Sequence, residues 1–425
     1  MIDKQAIKEV IIDYQRIIPR FNIVERNLFI ESIPNYVFVG LRRAGKSYMM
    51  YADIQRRIDK GDATIKDILF INFEDERLIG MDVSDLSSII ECYREMFDNP
   101  APLIYLDEIQ NVEGWEKYVR RLADTGYHVW VTGSNARMLS QEIATTLGGR
   151  FLIKYIPTFS FKEYLKFESL FPSDNWQYDS EERLQLRKRL DEYFHFGGFA
   201  ETFKLIDKRN WINSLYQKIL LSDIISRNGY RNERAIAFLV RKLAESVKQP
   251  CSQTRLQNLL KSTGTSISRN TIADYLESLN QSFLTFELKN FRHSLSERTL
   301  ESKRYFSDNG LLNNFLLDPN TSLLENIVAI ELMNKYFYEK GEEIFYYRNG
   351  IELDFYIPSI NTAIQVSYSL SETETMEREL NAIQKASKHI EIKDAWIVTY
   401  DDKPSFIKSD NCDIRVIPLL DFLLQ

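Results

Sequence analysis

The stretch Tyr36-Val-Phe-Val-Gly40-Leu-Arg-Arg-Ala-Gly-Lys46-Ser47-Tyr48 decides the fold. Gly40 to Ser47 match G-x-x-x-x-G-K-[ST], the loop that wraps nucleotide phosphates. The residues before it are apolar and β-prone, and those from Tyr48 to Ile58 have helical composition. Strand, glycine-rich turn and helix, in that order, give the pattern its physical sense. The glycines let backbone approach a phosphate without a Cβ clash. The helix start adds free N–H groups and a positive dipole end. Gly40, Arg43, Ala44, Gly45, Lys46, Ser47 and Tyr48 are therefore the expected nucleotide-binding residues. Lys46 is expected to reach the β- and γ-phosphates and Ser47 to hold Mg²⁺.

A second motif lies roughly 60 residues further on, in Pro102-Leu-Ile-Tyr-Leu-Asp107-Glu108. It reads as an apolar strand ending in two acids. Such ends are often merely solvated, but after a phosphate loop they have a second use. Asp107 is expected to orient the metal and Glu108 to polarise the attacking water, the mark of hydrolysis. A third strand, His128-Val-Trp-Val-Thr132, ends in Gly-Ser134-Asn135, where Ser134 is expected to sense the γ-phosphate.

With 425 residues the chain is long enough for two to four domains. Its net charge of −7 excludes a uniformly basic nucleic-acid coat. Cys92, Cys251 and Cys412 are few and scattered, which argues against disulfides and zinc and suits a reducing cytoplasm. His128, His195, His293 and His389 do not cluster. No run of apolar residues is long enough for a membrane span. The N-terminus lacks a basic-then-apolar export pattern, so a cytoplasmic protein with no membrane partner is expected.

Residues 2–19 read as an amphipathic helix with Ile7, Val10, Ile11, Tyr14 and Ile17 on one stripe. Strands are expected near 35–40, 67–73, 102–107, 127–132 and 151–156, with helices between them. That alternation predicts a parallel sheet covered on both faces, with ligands at the carboxyl ends of the strands. Glu74 and Asp75 end one strand at this edge; they serve the nucleotide or solvate the strand end, and solvation is the favoured reading.

Residues 158–205 are helical and aromatic and end in Phe196-Gly-Gly198-Phe. Two helices, Ser252–Leu260 and Arg269–Leu279, precede a β-rich run at Phe283–Leu288, a winged-helix layout. Residues 226–300 hold 12 Lys/Arg and 6 Asp/Glu, a basic excess within an acidic chain. Ser268, Arg269, Asn270 and Thr271 open the second helix, where DNA contacts are made in such layouts; a winged helix used for protein contacts is the alternative. Beyond residue 320 the pattern is again α/β: a helix over 322–339, strands at 343–347, 351–357 and 362–368, and a helix over 374–388. A strand at 395–400 and a final strand and helix near 413–424 follow. Asn349-Gly350 signals a tight hairpin turn.

Taken together, these motifs resemble the prokaryotic AAA+-like P-loop ATPases that carry a winged helix and a C-terminal nuclease-like domain of unknown function. The carriers are Gly-Leu-Arg-Arg-Ala-Gly-Lys-Ser, Ile-Asn-Phe-Glu-Asp, Tyr-Leu-Asp-Glu-Ile-Gln, Thr-Gly-Ser-Asn-Ala, Leu-Gly-Gly-Arg150, Phe-Gly-Gly-Phe and Lys303-Arg-Tyr-Phe-Ser-Asp-Asn-Gly310. The resemblance implies an α/β chain. It would comprise an AAA+-like P-loop domain at 1–160 and a helical linker at 161–209. A winged helix at 210–312 and a restriction-endonuclease-like domain at 313–425 would follow. It also implies ATP rather than GTP, and Arg150 as an arginine completing an ATP site, within the chain or in a neighbouring subunit of a homo-oligomer.

The C-terminal domain of such proteins resembles PD-(D/E)xK nucleases, which hold Mg²⁺ with two acids beside a lysine. Glu325 and Asp354 fit the acidic positions. Gln365 stands where Glu is expected and Ser367 where Lys is expected, so cleavage is predicted to be lost or weakened. An active nuclease would need a lysine from elsewhere, with Lys385 and Lys388 as candidates. The leading expectation is a Mg-ATP-dependent ATPase acting on DNA. The alternative is an ATP-dependent switch acting on a protein partner with little turnover.

Overall fold

The computed structural model describes residues 2–262, 264–291, 301–408 and 412–425. His293 lies outside the described residues. Two compact units emerge: residues 1–157 with 281–283, and residues 158–280 with 284–425.

In the first unit five strands form one parallel sheet: β1 (Asn35–Val39), β2 (Ile68–Asn72), β3 (Leu103–Asp107), β4 (Val129–Gly133) and β5 (Phe151–Tyr155). Their order is β2-β3-β4-β1-β5. The strands are almost continuously apolar because helices cover both faces. One core beneath the sheet packs Phe38, Phe70, Tyr105 and Trp130 against Met50 and Ile54 of the helix Lys46–Asp59. Each such side chain contributes about 1.5–3 kcal/mol by leaving water. The helix Lys4–Ile17 is capped by Asp3, whose carboxylate accepts from the Gln5 N–H. It buries Ile7, Val10 and Ile11, while Ile17, expected on the same stripe, is exposed because the helix ends there.

The second unit carries an eight-stranded mixed sheet. Its strands are β6 (Thr285–Asn290), β7 (Ser302–Phe306), β8 (Phe345–Arg348), β9 (Glu352–Ile357), β10 (Thr362–Ser367), β11 (Asp394–Thr399), β12 (Ser405–Ile407) and β13 (Asp413–Pro418). The order is β12-β13-β11-β10-β9-β8-β6-β7. Gly350 has φ +71° in the turn between β8 and β9, a conformation glycine adopts without Cβ strain. The helix Asn320–Leu332 packs on the sheet through β7 and β10, and Leu323 to Ala329 are all buried.

The helices Glu233–Glu245, Gln253–Ser262 and Arg269–Gln281 precede the antiparallel pair β6–β7. That pair is not a free-standing wing. Lys289 and Asn290 of β6 pair with Phe345 and Tyr346 of β8, so the hairpin forms the edge of the large sheet. The sheet therefore runs across residue 312, where the sequence reading sets a boundary. Strand pairing between distant segments leaves no local trace in either one.

Candidate nucleotide site and a buried lysine cluster

The phosphate loop joins β1 to the helix Lys46–Asp59 at the carboxyl edge of the first sheet. A Cβ on Gly40 would lie 2.3 Å from the Ile156 carbonyl oxygen, so only glycine allows this approach. Gly45 caps the helix with φ +98°. Arg43 also has positive φ, at +66°. Ala44 is buried, and its carbonyl accepts from the Arg26 guanidinium at 3.1 Å. A second arm of Arg26 reaches the Pro157 carbonyl at 2.9 Å, tying the loop to the end of β5. Tyr48 is half-exposed and packs on Phe21 and Tyr51.

Lys46 is buried, and its ammonium donates to the Gly40 and Leu41 carbonyls at 3.3 and 3.2 Å. It also lies 3.6 Å from Glu108 Oε1. The Ser47 hydroxyl lies 3.0 and 2.8 Å from the two Asp107 carboxylate oxygens. Thr132 donates to Asp107 Oδ1 at 2.5 Å and accepts from the Glu108 N–H at 2.9 Å. Glu108 adopts φ +52°, a strained backbone for a non-glycine residue. Gln110 Nε2 donates to Glu108 Oε2 at 2.5 Å and lies 3.4 Å from Ser134 Oγ. Gly133 lets this corner close, since a Cβ there would meet Met138 Sδ and Gln110 Oε1.

Burial and the neighbouring Glu108 charge push the Asp107 carboxyl up to about 6, against the Thr132 and Ser47 hydrogen bonds. Burial also acts to raise Glu108, but the Lys46 ammonium and Gln110 outweigh it and hold Glu108 below its ordinary value. The two adjacent acids are thus driven apart in proton affinity. The Ser47 hydroxyl and the Asp107 carboxylate are hard oxygen donors converging at one point, a donor set that suits Mg²⁺.

Lys46, Ser47, Asp107, Glu108 and Ser134 therefore come together, and Arg150 does not join them. Asn35 at the start of β1 pairs with Phe151 at the start of β5, which puts Arg150 at the amino edge of the sheet. A five-residue strand, about 16 Å at roughly 3.3 Å per residue, separates it from the loop. There Arg150 pairs with Asp124 and donates to the Gly148 carbonyl at 2.8 Å. Within one chain Arg150 is no part of this site. Glu74 pairs with Arg42 at 2.8 Å, and Asp75 caps a short helix through the Arg77 N–H. Thr132, Gln110 and Arg42 stand inside the quoted motifs but carried no expected role, and Arg26 had no motif to mark it.

In the second unit the residues singled out for a nuclease-like site converge around one lysine. The Lys303 ammonium on β7 lies 3.1 Å from Glu325, 2.9 Å from Glu352 and 2.9 Å from Asp354. Lys303 is fully buried. Tyr305, two residues along the same strand face, donates to Glu325 Oε1 at 2.8 Å. Burial acts to lower the Lys303 pKa, but Asp354 and Glu325 raise it well above its ordinary value. Burial and Asp354 push Glu325 up to about 7. Gln365 Oε1 accepts from the Asp354 N–H at 2.7 Å, and its Nε2 donates to Glu379 at 2.8 Å. Ser367 donates to the Ser369 carbonyl at 3.2 Å. The cluster opens on a cavity of about 800 Å³ that Lys248, Arg378 and Lys385 also line; Lys388 does not.

A third cluster accounts for two of the sequence motifs. Asp308 accepts from the Gly198 N–H at 2.8 Å, the Thr158 hydroxyl at 3.0 Å and the Gly310 N–H at 2.8 Å. Asn309 donates to the Phe194 and Leu323 carbonyls at 2.9 and 3.1 Å. A Cβ on Gly198 would lie 2.1 Å from the Phe159 carbonyl oxygen, and one on Gly310 would lie 2.4 Å from that of Phe196. Phe-Gly-Gly-Phe and Lys303–Gly310 are thus two halves of one buried joint.

A parallel sheet bearing this loop at its carboxyl edge defines a P-loop NTPase fold, and residues 33–165 match the model of an AAA domain. Residues 187–322 match a domain of unknown function. The chain belongs to the same family as an uncharacterized protein of Methanocaldococcus jannaschii. The two are 35% identical over 416 residues, covering 95% of this chain and 91% of the relative. An uncharacterized protein of Haemophilus influenzae is 30% identical over 404 residues, covering 92% of this chain and 94% of the relative. Among solved structures, the Walker-type ATPase PABY2304 of Pyrococcus abyssi is similar at TM-score 0.40 and 12% identity, covering 74% of this chain and 96% of that one. Cdc6p from Pyrobaculum aerophilum is similar at TM-score 0.25 and 11% identity, covering 77% and 93%. Among the described residues no helix is long and apolar enough to cross a membrane.

Proposed function

We propose that this chain is a Mg-ATP-dependent ATPase whose nucleotide state drives a conformational change acting on DNA. The observation that carries the reading is the convergence of Lys46, Ser47, Asp107 and Glu108 at one sheet edge. Gly40 to Ser47 wrap the phosphates, and Lys46 releases the Gly40 and Leu41 carbonyls to meet the β- and γ-phosphates. A magnesium ion held by Ser47 and Asp107 would neutralise phosphate charge. Glu108, held ionised beside Lys46, is the base that orients and polarises the attacking water. Ser134 and Gln110 stand next to Glu108 and relay the state of the γ-phosphate to the end of β4. Arg150 faces away from its own loop, so any part it has in catalysis is played on a neighbouring subunit's nucleotide.

Action on DNA is supported by the exposed start of the helix Arg269–Gln281. Ser268, Arg269 and Asn270 face solvent there, in the basic stretch 226–300. The second unit is proposed to be a nuclease-like fold without cleavage. Gln365 is committed through both ends of its amide, and Ser367 brings no ammonium. Neither Lys385 nor Lys388 has a hydrogen bond or ion pair to the cluster among the described contacts, whereas Lys303 occupies its centre.

Steady-state phosphate release from ATP tests the proposal, wild type against Lys46→Ala, with and without duplex DNA at low salt. Losing charge-assisted bonds worth about 1.5–3 kcal/mol should weaken ATP binding roughly 10- to 150-fold. Turnover that depends on Lys46 and rises with DNA is expected. Tight ATP binding with no turnover in any condition would refute the ATPase and favour a switch acting on a protein.

A further inference from the structure

The PD-(D/E)xK resemblance implies a divalent metal among Glu325, Asp354 and their neighbours, and the residues present do not fit one. The three carboxylates stand 2.9–3.1 Å from the Lys303 nitrogen. That is the spacing of charge-assisted hydrogen bonds, whereas Mg²⁺ needs oxygens at about 2.0–2.1 Å and Ca²⁺ at about 2.3–2.6 Å. The ammonium donates to Glu325 and Asp354, and Glu352 lies within ion-pair distance of it. Among the described residues no group of three His, Cys, Asp or Glu side chains is placed to hold a metal ion. The remaining oxygen of Asp354 accepts from the Val366 N–H at 3.0 Å, and Glu325 also accepts from Tyr305. Glu379 is turned away, bound to Gln365 and Arg378.

We infer that Lys303 is the resident cation of this pocket, standing where a metal-dependent site would hold a divalent ion, and that removing its ammonium turns Glu325, Glu352 and Asp354 into a site for one such ion. The inference stands on this geometry and is independent of the ATPase reading. One buried and two part-buried carboxylates need a positive charge at their centre. A lysine on the edge strand β7 supplies it permanently, with no metal exchange. The ammonium also ties β7 to β9 and to the helix Asn320–Leu332. A cavity of about 800 Å³ is thereby left beside an acidic cluster whose charge one ammonium partly offsets.

The test is Mn²⁺ binding to the full, nucleotide-free chain, followed by paramagnetic resonance and thermal unfolding. Four proteins are compared: wild type, Asp354→Asn, Lys303→Met and Lys303→Met/Asp354→Asn. Ions at Ser47 and Asp107 contribute equally to all four. Wild type and Asp354→Asn should bind the same number of Mn²⁺ ions. Lys303→Met should gain one ion per chain, bound at least tenfold more tightly than by wild type, and lose it again in the double variant. Mn²⁺ should raise the unfolding temperature of Lys303→Met and leave that of wild type unchanged. A wild-type ion that Asp354→Asn removes would overturn the inference. So would a Lys303→Met chain that folds without gaining an ion, or one that stays unfolded with Mn²⁺ present. Because no readout uses ATP turnover, failure here is separable from failure of the ATPase reading.

Discussion

Replacing Asp308 by Asn should destabilise the second unit in acid and cost much less in mild alkali. The Asp308 carboxylate is buried and accepts from Gly198, Thr158 and Gly310. In Asp308→Asn one acceptor oxygen becomes an NH₂ facing an N–H or O–H donor. At least one buried donor is then unpaired, at about 1–3 kcal/mol. The wild-type carboxylate carries an opposite burden, because burial pushes it up to about 6 from its usual 3.8 despite those hydrogen bonds. At about 1.4 kcal/mol for each pH unit, the rise is worth about 3 kcal/mol. A folded-state pKa raised above the unfolded one means stability that is full below 3.8 and lost as pH rises through about 6. The variant has no such titration. The wild-type advantage should therefore shrink by about 2.4 kcal/mol between pH 4 and 8, and about 1.4 kcal/mol of that falls between pH 5 and 8. Native-state hydrogen exchange of peptides spanning 194–202 and 305–313, at pH 5, 6.5 and 8, reads this locally and needs no two-state assumption for the whole chain. An advantage that is flat with pH, or that grows as pH rises, would refute the reasoning.

Glu108→Gln keeps the hydrogen-bonding shape and removes the base, so it should bind ATP with near wild-type affinity and turn it over roughly 10²- to 10⁴-fold more slowly. Single-turnover phosphate release checks this, and a wild-type rate would exclude Glu108 as the water-activating group. Gly198→Ala places a Cβ 2.1 Å from a backbone oxygen that cannot yield cheaply. It should destabilise the second unit by about 3 kcal/mol or more, while the Gly264→Ala control, with open space around it but φ +80°, should cost less. Urea unfolding ranks the two. Arg269→Ala should weaken duplex DNA binding and lower the slope of log K against log salt by about 1. An unchanged slope in fluorescence anisotropy would remove this residue from the DNA-facing surface.

The nucleotide site was legible in the sequence because its chemistry is local. Gly40 to Ser47 carry their own turn and helix start, and the strand ending in Asp107-Glu108 announces two acids at a sheet edge. Alternating β and α segments were enough to call for a parallel sheet, and β1 to β4 are buried almost throughout. Whether Arg150 serves its own chain or a neighbouring subunit was left open by the sequence, because a motif position does not say at which end of a strand a residue stands; the β1–β5 register puts it away from its own loop. Lys303 was quoted only as the first residue of a motif, and the missing lysine was sought on the helix that follows the site. Strand alternation puts Lys303 on the same face as Tyr305, but nothing local says which carboxylates that face will meet. Glu325, Glu352 and Asp354 lie 22, 49 and 51 positions away. Only the pairing of β6 with β8 brings the edge strand to them. The same holds for Asp308 and Gly198, 110 positions apart, whose hydrogen bond makes one joint of two motifs. Sequence determined the site whose parts are contiguous or repeat with the period of a strand. Tertiary structure decided the one assembled from a lysine and three acids, because the Coulomb energy that selects it exists only once the sheet has closed around it.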